Sequence, residues 1–524
     1  MSISTLSNIC TTNYRFQNWA GIYSSNPKVY FQPTTVDQVV QIVKNANEQG
    51  RKVTVIGSGH TPNTLCMTND WMVNLDKLSH VSILKAEHND YADVTVEAGI
   101  SSHDLNEYLS DRGYVLQNLP SINGPTLAGM ISTGTHGSSA YHGLISSQIV
   151  NLTLVNGRGN LIFVDSETEP DLFKAMLLSL GQIGIIVKLT VRVVPKFNLK
   201  VTQEIIDFNK LIGMWDYLWT STEFIKVWWY PYNKKCVIWR AQRTTDAVTP
   251  VKQKPFLSKK FYRFIYESLL WVSTQVCGRL TPFVEKWVFK RQFKSIGGLG
   301  EAQPEVLTSM DAFTLDCLYS QFVDEWGCPL VEGPDVLRKL EQIIDEGKKT
   351  HKFYVHAPME IRCSNTTLPH SLAPNEAERS EVTKGAVYGN IVRPYLDNTF
   401  KLAEYVPTGD VTNNQLTLFI NATVYRPFKC NSRIFEWFTR FENVLMDAKG
   451  KPHWAKNFIG STELTMGNLV TSGYKDYQCR GLGRFIKDKY QTDLPIFQRI
   501  KMEQDPNGIF ETNKDWLISN AIVE

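Results

Sequence analysis

Hydrophobic positions along the first 195 residues alternate between a helical period and a strand period. Thr35 and Gln38 have the spacing of a capping box, and a series of valines follows at helical intervals, which predicts a helix. The run 53–56 and the alternating run 94–98 predict strands, and two β-rich runs around 156–160 predict a hairpin. Glycines concentrate where these strands end. The pattern therefore predicts an α+β region.

The sequence pattern changes near residue 196. Five tryptophans fall between residues 215 and 239, and longer strand patterns run over 225–230 and 237–243. A chain of 524 residues is too long for one ordinary core, which agrees with two or three domains. We expect the residues after 450 to pack back on the first domain. The predicted divisions are an N-terminal segment 1–26, a first domain 27–197, a second domain 198–450 and a C-terminal segment 451–524.

Composition disfavours several classes of protein. The chain carries 55 basic and 52 acidic residues, and this net charge of +3 is too balanced for a dedicated nucleic-acid-binding protein. Nine scattered cysteines without a C-x-x-C pair suggest neither a disulfide framework nor a zinc site, so we expect no metal and a reducing compartment. The N-terminus resembles neither a signal peptide nor an arginine-rich presequence. No apolar run reaches the roughly 18 residues that a membrane span needs.

A glycine turn follows the first β-rich run. Ile56 is followed by Gly57-Ser58-Gly59-His60, so a strand would end in a tight turn whose backbone N–H groups can hold a diphosphate. The third glycine and the acidic residue of a Rossmann dinucleotide fingerprint are missing. Taken alone, such a turn is more often only a turn.

A second segment, 120–138, is rich in Gly, Ser and Thr and poor in charge. This composition suits backbone contacts to a polar, anionic ligand, although a long surface loop can have it too. Leu127, Ala128, Met130 and Ile131 indicate that the segment is buried. A loop that lines a ligand is therefore the favoured interpretation.

Together these motifs resemble the vanillyl-alcohol oxidase flavoprotein superfamily. The G-x-G-H turn at 57–60 precedes S-T-G-T-H-G at 132–137, and S-L-G-Q-I-G-I-I-V at 179–187 leads into a strand pattern. The resemblance implies a two-domain FAD-binding fold of the PCMH type, with a large α+β cap domain that is built on an antiparallel sheet and binds the substrate. The segments that narrow it to the aldonolactone oxidoreductases, over essentially the whole chain, are Trp228–Tyr232, Pro358–Arg362 and His453–Lys456.

The resemblance also implies where FAD binds. The histidine of the family's G-x-G-H turn is joined to the flavin 8α-methyl group, and here it is His60. A second, cysteinyl link is not expected, because 120–138 contains no cysteine. A packed or helix-capping role is the alternative for His60; a structural role is the alternative for His136 and the preferred one for His142. The residues implied to contact FAD are Gly57, Ser58, Gly59, Thr61, Pro120, Ser121, Thr126, Gly129, Ser132, Thr133, Gly134, His136, Gly137, Ile185 and Ile186.

Catalysis is expected in the second domain. Strand alternation over 355–362 puts Glu360 and Arg362 on one face, where an exposed ion pair would be the common interpretation. The family's E-x-R motif lies in the active site, so the resemblance implies that Glu360 accepts the lactone hydroxyl proton while Arg362 holds substrate oxygens. Arg362 and Lys456 would supply positive charge near the flavin. Asn421 falls where a related alditol oxidase has a substrate-contacting threonine.

The implied reaction is FAD-dependent oxidation of an aldono-1,4-lactone at C2, with hydride passing to flavin N5. The product is an ascorbate-type enediol, and O2 is reduced to H2O2. Plant dehydrogenases of the family have alanine before the Ser-Ile at 121–122, whereas oxidases tend to have Gly or Pro, and Pro120 stands here. An oxidase is therefore expected. The rivals are a dehydrogenase that uses cytochrome or quinone, and a non-catalytic flavin or carbohydrate binder, which Glu360, Arg362 and Lys456 together disfavour.

Segment 261–289 bears on location. Fungal relatives associate with mitochondrial membranes, which implies peripheral attachment without a cleaved presequence; the alternative is a cytoplasmic protein. The segment is rich in aromatic and aliphatic residues and has basic residues on both sides. A helix lying in an anionic membrane interface would have this pattern, and so would a helix pair packed in the core of the second domain. Charged residues and Pro282 interrupt the segment, which excludes a membrane span.

Overall fold

The computed structural model describes residues 6–86, 88–250, 256–315, 317–356, 358–365, 386–400, 411–433, 435–460 and 482–524. Helices and sheets are mixed along these ranges, so the predicted α+β class is confirmed. The strands fall into separate sheets before and after residue 196, where the sequence pattern also changes.

Residues up to 195 form two principal sheets. In the first, β4, β6 and β5 are parallel and β1 lies antiparallel on the edge, in the order β1-β4-β6-β5. The second is antiparallel in the order β11-β10-β12-β8-β7, with β9 against β12, and β2 pairs separately with β3. The strands are β1 (Cys10–Thr11), β2 (Phe16–Gln17), β3 (Ser24–Ser25), β4 (Val29–Phe31), β5 (Val53–Ile56), β6 (Trp71–Asn74), β7 (Val81–Lys85), β8 (Ala92–Glu97), β9 (Tyr114–Val115), β10 (Ile149–Asn156), β11 (Leu161–Asp165) and β12 (Gly184–Pro195).

Local sequence signals set several of these elements. The Thr35 side chain accepts the Gln38 backbone N–H and the Gln38 side chain returns the contact, so the predicted capping box is confirmed. Strands β10 and β11 form the predicted hairpin around 156–160. Ser101 caps the second helix by accepting from the Asp104 backbone. The helices of this part are α1 (Val36–Glu48), α2 (Ser102–Ser110), α3 (Leu127–Ser132) and α4 (Pro170–Met176).

The described residues after 195 are built on one eight-stranded sheet, whose order is β16-β13-β15-β14-β18-β19-β17-β20. Every pairing in it is antiparallel, which confirms the predicted cap sheet. Its strands are β13 (Asn198–Asp207), β14 (Phe224–Tyr230), β15 (Lys235–Thr244), β16 (Glu305–Thr308), β17 (Gln321–Pro329), β18 (Met359–Ser364), β19 (Thr417–Tyr425) and β20 (Lys451–Pro452). The helices are α5 (Phe208–Gly213), α6 (Trp215–Leu218), α7 (Lys260–Trp271), α8 (Thr281–Gln292), α9 (Ser309–Phe313), α10 (Gly333–Thr350), α11 (Phe435–Asp447), α12 (Gly483–Lys489), α13 (Asp493–Gln504) and α14 (Lys514–Ser519).

Strand β18 is shorter than the sequence pattern predicted. It begins at Met359, so 355–358 lie outside it, and Ala357 lies outside the described residues. The buried Val355 N–H donates to the hydroxyl of Tyr232 instead of to a neighbouring strand. The alternation that concerns Glu360 and Arg362 holds, because both residues lie within the strand.

The C-terminal segment packs on the first sheet. The backbone N–H of Val53 on β5 donates to the carbonyl of Ile509 over 2.8 Å, and Lys52 Nζ donates to the carbonyl of Asn507 over 3.0 Å. The buried Asp505 carboxylate accepts two backbone N–H groups, those of Ile509 and Phe510, and so fixes the turn that makes this approach.

Segment 261–289 forms a helix pair, α7 and α8, rather than one long helix. Its inner side contributes to a small apolar cluster that includes Tyr266, Leu270 and Val288, which agrees with the packed interpretation. On the outer side of the pair, Phe261 is 68% and Phe283 is 70% exposed, so this side of the helix pair is not packed against the described residues. Among the helices of the described ranges, none is long and apolar enough to cross a membrane.

Candidate active site

A cavity of about 1630 Å³ lies between the glycine-rich segments and the eight-stranded sheet. It receives side chains from both parts of the chain and from the C-terminal segment, so all three are needed to enclose it. The predicted site residues that line it are Gly57, Ser58, Gly59, His60, Thr61, Pro120, Ser121, Thr126, Gly129, Ser132, Thr133, His136, Ile186, Glu360, Arg362, Asn421 and Lys456.

Three residues implied to contact FAD, Gly134, Gly137 and Ile185, are not among the lining residues. Ile185 is fully buried on β12 and, because side chains alternate along a strand, it points away from the side of Ile186. Gly134 has a φ of +72°, which only glycine adopts at low cost. A Cβ at Gly137 would overlap the side chain of Asn118. Gly134 is thus required by the backbone conformation and Gly137 by the close packing of Asn118.

The glycine turn after β5 is shaped for close approach to a ligand. Gly59 adopts a φ of +66°, so the turn reverses directly after the strand. A Cβ at Gly57 would overlap the side chain of Thr126, which caps α3 by accepting from the backbone N–H of Gly129. Turn and helix start therefore pack against each other without side chains between them. Together with the size of the cavity, this glycine cradle fits a dinucleotide.

His60 projects from this turn into the cavity. Its Nδ1 lies 2.9 Å from Ser58 Oγ, and its ring stacks on Trp19 with 5.7 Å between centroids. A Cβ at Gly124 would lie 2.8 Å from His60 Cε1, so the glycine leaves room for the imidazole. Desolvation lowers the pKa of His60 to about 4, which keeps the ring neutral near pH 7. A neutral imidazole is the nucleophilic form.

Three neighbouring strands carry polar residues in a single row across the sheet. Glu360 on β18 lies opposite Asn421 on β19, and Asn421 lies opposite Glu325 on β17. All three line the cavity. Opposed residues of antiparallel strands share a face of the sheet, so the register itself brings these side chains together.

Glu325 was not predicted from the sequence, yet it is the most connected side chain of the site. It is fully buried; its Oε1 lies 2.6 Å from Arg362 Nη2 and 3.3 Å from His136 Nε2, and its Oε2 lies 3.2 Å from Lys456 Nζ. Burial alone would raise the pKa of Glu325, but the charges of Arg362 and Lys456 hold it well below the usual range. The carboxylate is therefore ionised. The adjacent acids Asp324 and Glu325, inside an otherwise largely apolar strand, were the available signal.

Glu360 is the more accessible of the two carboxylates, with 15% of its side chain exposed. Its Oε1 accepts the hydroxyl of Ser121 over 3.0 Å, and its Oε2 lies 3.6 Å from Arg362 Nε. Arg362 thus lies between the completely buried carboxylate of Glu325 and the partly exposed carboxylate of Glu360. Such a pair can hold oxygen atoms of a small molecule and receive a proton from it.

His136, Glu325 and His453 have ligand atoms within 4.8 Å of one another, a geometry that could hold a metal ion. Arg362 and Lys456 lie at the two oxygens of Glu325, so a divalent ion here would meet two positive charges. Burial lowers the pKa of both histidines, and neither adds charge near pH 7. His136 also stacks on Phe419 at 3.7 Å. These contacts favour an ion-pair network over a metal site.

Lys456 is held in place by contacts to the chain next to the glycine turn. Asn63 Nδ2 donates to the carbonyls of Trp454 and Lys456 over 2.7 and 3.1 Å. Asn457 Nδ2 donates to the carbonyl of Pro62 over 2.9 Å. The segment that presents Lys456 and the turn that presents His60 are therefore tied together.

His142 is placed away from the cavity. Its Nε2 lies 3.1 Å from Glu223 Oε1, and the ring stacks on Phe224, with all three residues buried. This agrees with the structural role preferred for His142. His136, in contrast, both lines the cavity and contacts Glu325.

Comparison with known proteins identifies an FAD-binding domain and a lactone oxidase family over most of the chain. A family model for D-arabinono-1,4-lactone oxidase matches residues 189–520, and one for an FAD binding domain matches residues 27–165. The D-arabinono-1,4-lactone oxidase of Eremothecium gossypii is 53% identical over 98% of this chain and 96% of its own length. That of Saccharomyces cerevisiae is 52% identical over 98% and 97%.

A solved structure shares the fold. The crystal structure of cholesterol oxidase from B. sterolicum superposes with a TM-score of 0.75 over 98% of this chain and 97% of that one, at 15% identity. Together with the FAD-binding match, this confirms the FAD-binding fold of the PCMH type that the motifs implied.

The Glu325 network generates a stability prediction. Replacing Glu325 by Gln keeps the shape but leaves Arg362 and Lys456 as buried or half-buried cations without their shared carboxylate. Breaking a buried ion pair costs about 3–5 kcal/mol, so we expect a clear fall in the midpoint of thermal or urea unfolding. Glu360→Gln is the matched control, because the Glu360 side chain is partly exposed, and it should shift the midpoint much less. Equal shifts for the two variants would contradict the central position given to Glu325.

Proposed function

The chain belongs to the D-arabinono-1,4-lactone oxidase family, and from this premise we propose that it oxidises D-arabinono-1,4-lactone at C2 to D-erythroascorbate, with O2 reduced to H2O2. The observation that carries the proposal is the row of Glu360, Asn421 and Glu325, with Arg362 and Lys456 beside it, in the same cavity as the glycine cradle. FAD supplies the two-electron acceptor when bound. Its diphosphate would be held by backbone groups of Gly57–Thr61 and of the segment around Thr126.

In this proposal Glu360 is the general base. Oxidation at C2 removes a hydride from carbon and a proton from the hydroxyl group, and the proton needs an acceptor within hydrogen-bond reach. Glu360 faces the cavity and is close to the guanidinium of Arg362. Arg362, Lys456 and Asn421 orient the lactone oxygens, and the two cations favour the negative charge that develops on the C2 oxygen. The 2-keto lactone then tautomerises to the enediol.

We propose O2 as the acceptor that completes the cycle, on the evidence of Pro120. This residue lines the cavity directly before Ser121, where plant dehydrogenases of the family have alanine. The competing proposal is transfer to a cytochrome or quinone. Turnover in air without a dye distinguishes the oxidase from the dehydrogenase. Only the oxidase can then reoxidise its flavin and continue after the flavin has been reduced once.

The test of function is lactone-dependent peroxide formation. The purified holoprotein should form H2O2 from D-arabinono-1,4-lactone in air, and under nitrogen it should turn over only with a dye. Glu360→Gln should slow flavin reduction by about 100-fold or more in stopped-flow, as loss of a general base typically does, with unchanged FAD content.

Glu305→Gln is the matched control, since Glu305 lines the same cavity but is exposed and lies on the edge strand β16. It should reduce flavin at nearly the wild-type rate. Reduction by Glu360→Gln at the wild-type rate would remove Glu360 as the base, and lack of any lactone oxidation, in air or with a dye, would overturn the proposed function.

We also propose that His60 carries FAD covalently. The neutral ring beside Gly124, at the edge of the cavity, supports this attachment. FAD should therefore stay with the polypeptide after acid precipitation, and the His60 peptide should carry the flavin mass. In His60→Ala, any FAD should be released by acid, whereas His103→Ala, at a partly exposed position, should behave as wild type. Free FAD together with an unmodified wild-type His60 peptide would refute the link.

The exposed side of the α7–α8 pair supports a third proposal, peripheral attachment to an anionic mitochondrial membrane. Phe261, Phe264 and Phe283 are exposed there, and Lys259, Lys260 and Lys290 flank them. Apolar side chains with basic neighbours suit an anionic lipid surface. Lys252 and Lys254, which extend the basic flank in sequence, lie outside the described residues.

The membrane proposal predicts salt-sensitive binding to vesicles. The protein should sediment with phosphatidylserine-containing liposomes at low salt and be released as salt screens the lysines. Replacing Lys259, Lys260 and Lys290 by Gln should weaken binding without slowing lactone turnover. Replacing the exposed lysines 200, 210 and 349, which lie on other elements, gives a charge-matched control that should still bind. Absence of wild-type binding at low salt would contradict the proposal.

A further inference from the structure

Lys226 is a buried cation beside the site that the sequence motifs did not indicate. It lies on β14 directly opposite Arg362 on β18, and only 2% of it is exposed. Its Nζ donates to the carbonyl of Phe313 over 2.7 Å and to Ser121 Oγ over 3.4 Å, and it lies 5.0 Å from the centre of the Trp239 ring. A lysine so completely removed from water is uncommon unless it is paired. Lys226 is not among the residues that line the cavity.

The contacts of Lys226 lead to Glu360 through one hydroxyl group. Ser121 Oγ accepts from Lys226 and donates to Glu360 Oε1 over 3.0 Å. A lysine ammonium can only donate, so it turns the serine lone pairs toward itself and the serine hydrogen toward the carboxylate. While Lys226 is charged, the hydrogen bonds therefore run in one direction: Lys226 donates to Ser121, and Ser121 donates to Glu360.

We propose that Lys226 is a positioning residue for the oxidation, acting on Glu360 through the Ser121 hydroxyl. The charged lysine fixes the hydroxyl as a donor to the carboxylate, and so holds Glu360 in one orientation with its other oxygen toward Arg362 and the cavity. Lys226 does not touch the lactone. This inference rests on the proposed role of Glu360 as the base.

Charged groups around Lys226 give the arrangement a pH dependence. Burial lowers the pKa of Lys226 to about 8, the Glu360 carboxylate acts to raise it, and Arg362 acts to lower it further. Glu360 and Arg362 both lie on β18. The other elements packed against Lys226 present uncharged groups: the Trp239 ring from β15, the Phe313 carbonyl from α9 and the Ser121 hydroxyl from the glycine-rich segment. Above about pH 8 the neutral amine can accept from Ser121, which would turn the hydroxyl away from Glu360.

The kinetic test is the pH profile of flavin reduction by D-arabinono-1,4-lactone. In the wild-type holoenzyme the rate constant should fall as pH rises through about 8, because the positioned form requires charged Lys226. Lys226→Gln can still donate to the Phe313 carbonyl but carries no charge, so it should be about tenfold slower at pH 7, the order of one lost hydrogen bond to a charged group. Its rate should no longer fall near pH 8.

Ser121→Ala removes the link and should abolish the same decline. Because both variants break one chain, Lys226→Gln combined with Ser121→Ala should be no slower than the slower single variant. Exposed Lys200→Gln, on β13 of the same sheet, is the control and should keep the wild-type profile. Multiplicative effects in the double variant, or a decline near pH 8 that persists in Lys226→Gln, would overturn the proposal.

A second measurement does not depend on turnover. In holoprotein labelled with ¹³C at lysine Cε, one signal should titrate near pH 8, well below those of exposed lysines, and be missing in Lys226→Gln. In Glu360→Gln its midpoint should move to lower pH, because the carboxylate that favours the charged amine is gone. An unmoved midpoint refutes the coupling even if Glu360 is the base. A moved midpoint in a protein that oxidises no lactone would leave the coupling standing and refute the proposed function instead.

Discussion

The Glu325 carboxylate is completely buried, and each of its oxygens lies within salt-bridge distance of a different cation, Arg362 and Lys456. An ionised carboxylate without water costs several kcal/mol unless charges and hydrogen bonds replace that water. The replacing groups come from β18, from the segment after β20 and, through His136, from the glycine-rich segment. Both cations come from the part of the chain after residue 196, and His136 brings the first part of the chain into contact with the same carboxylate. The ion-pair network thus lies where the two parts of the chain meet.

Neutral contacts join the two parts of the chain close to the glycine turn at 57–60. Asn63 and Asn457 join the chain after His60 to the chain around Lys456 through backbone carbonyls. Asn457 Oδ1 also accepts the Val323 N–H, two residues before Glu325. Asparagine is suited to this because its amide donates and accepts at once. The backbone segments that carry His60 and Lys456 are thus held together by hydrogen bonds from Asn63 and Asn457.

Local features of the fold were predictable from the sequence, and the contacts of Glu325 were not. The capping box at Thr35, the hairpin around 156–160 and the glycine turn at 57–60 depend on residues close in sequence, where propensity and spacing decide. Glu325 reaches Arg362 because β19, almost 100 residues further along the chain, lies between their strands. No periodicity within β17 encodes that register. The place of Lys226 was not predictable for the same reason, since its position opposite Arg362 is a property of strand pairing.

Strand register therefore brings together most of the charged groups around Glu325 and Glu360. Within this network Lys226, Arg362 and Lys456 carry three positive charges against the two of Glu325 and Glu360, which leaves one positive charge in excess. Burial lowers the pKa of His136 and His453, so neither adds to it near pH 7. In the proposed reaction, an excess of one would favour the negative charge that develops on a lactone oxygen as its proton leaves, and fixed charges need no reorganisation at that moment. A slip of one residue in β18 would turn Glu360 and Arg362 to the opposite face of the sheet and leave Glu325 buried without its guanidinium partner. The register that gives Glu325 its guanidinium partner is consequently the register that places Glu360 and Arg362 at the cavity.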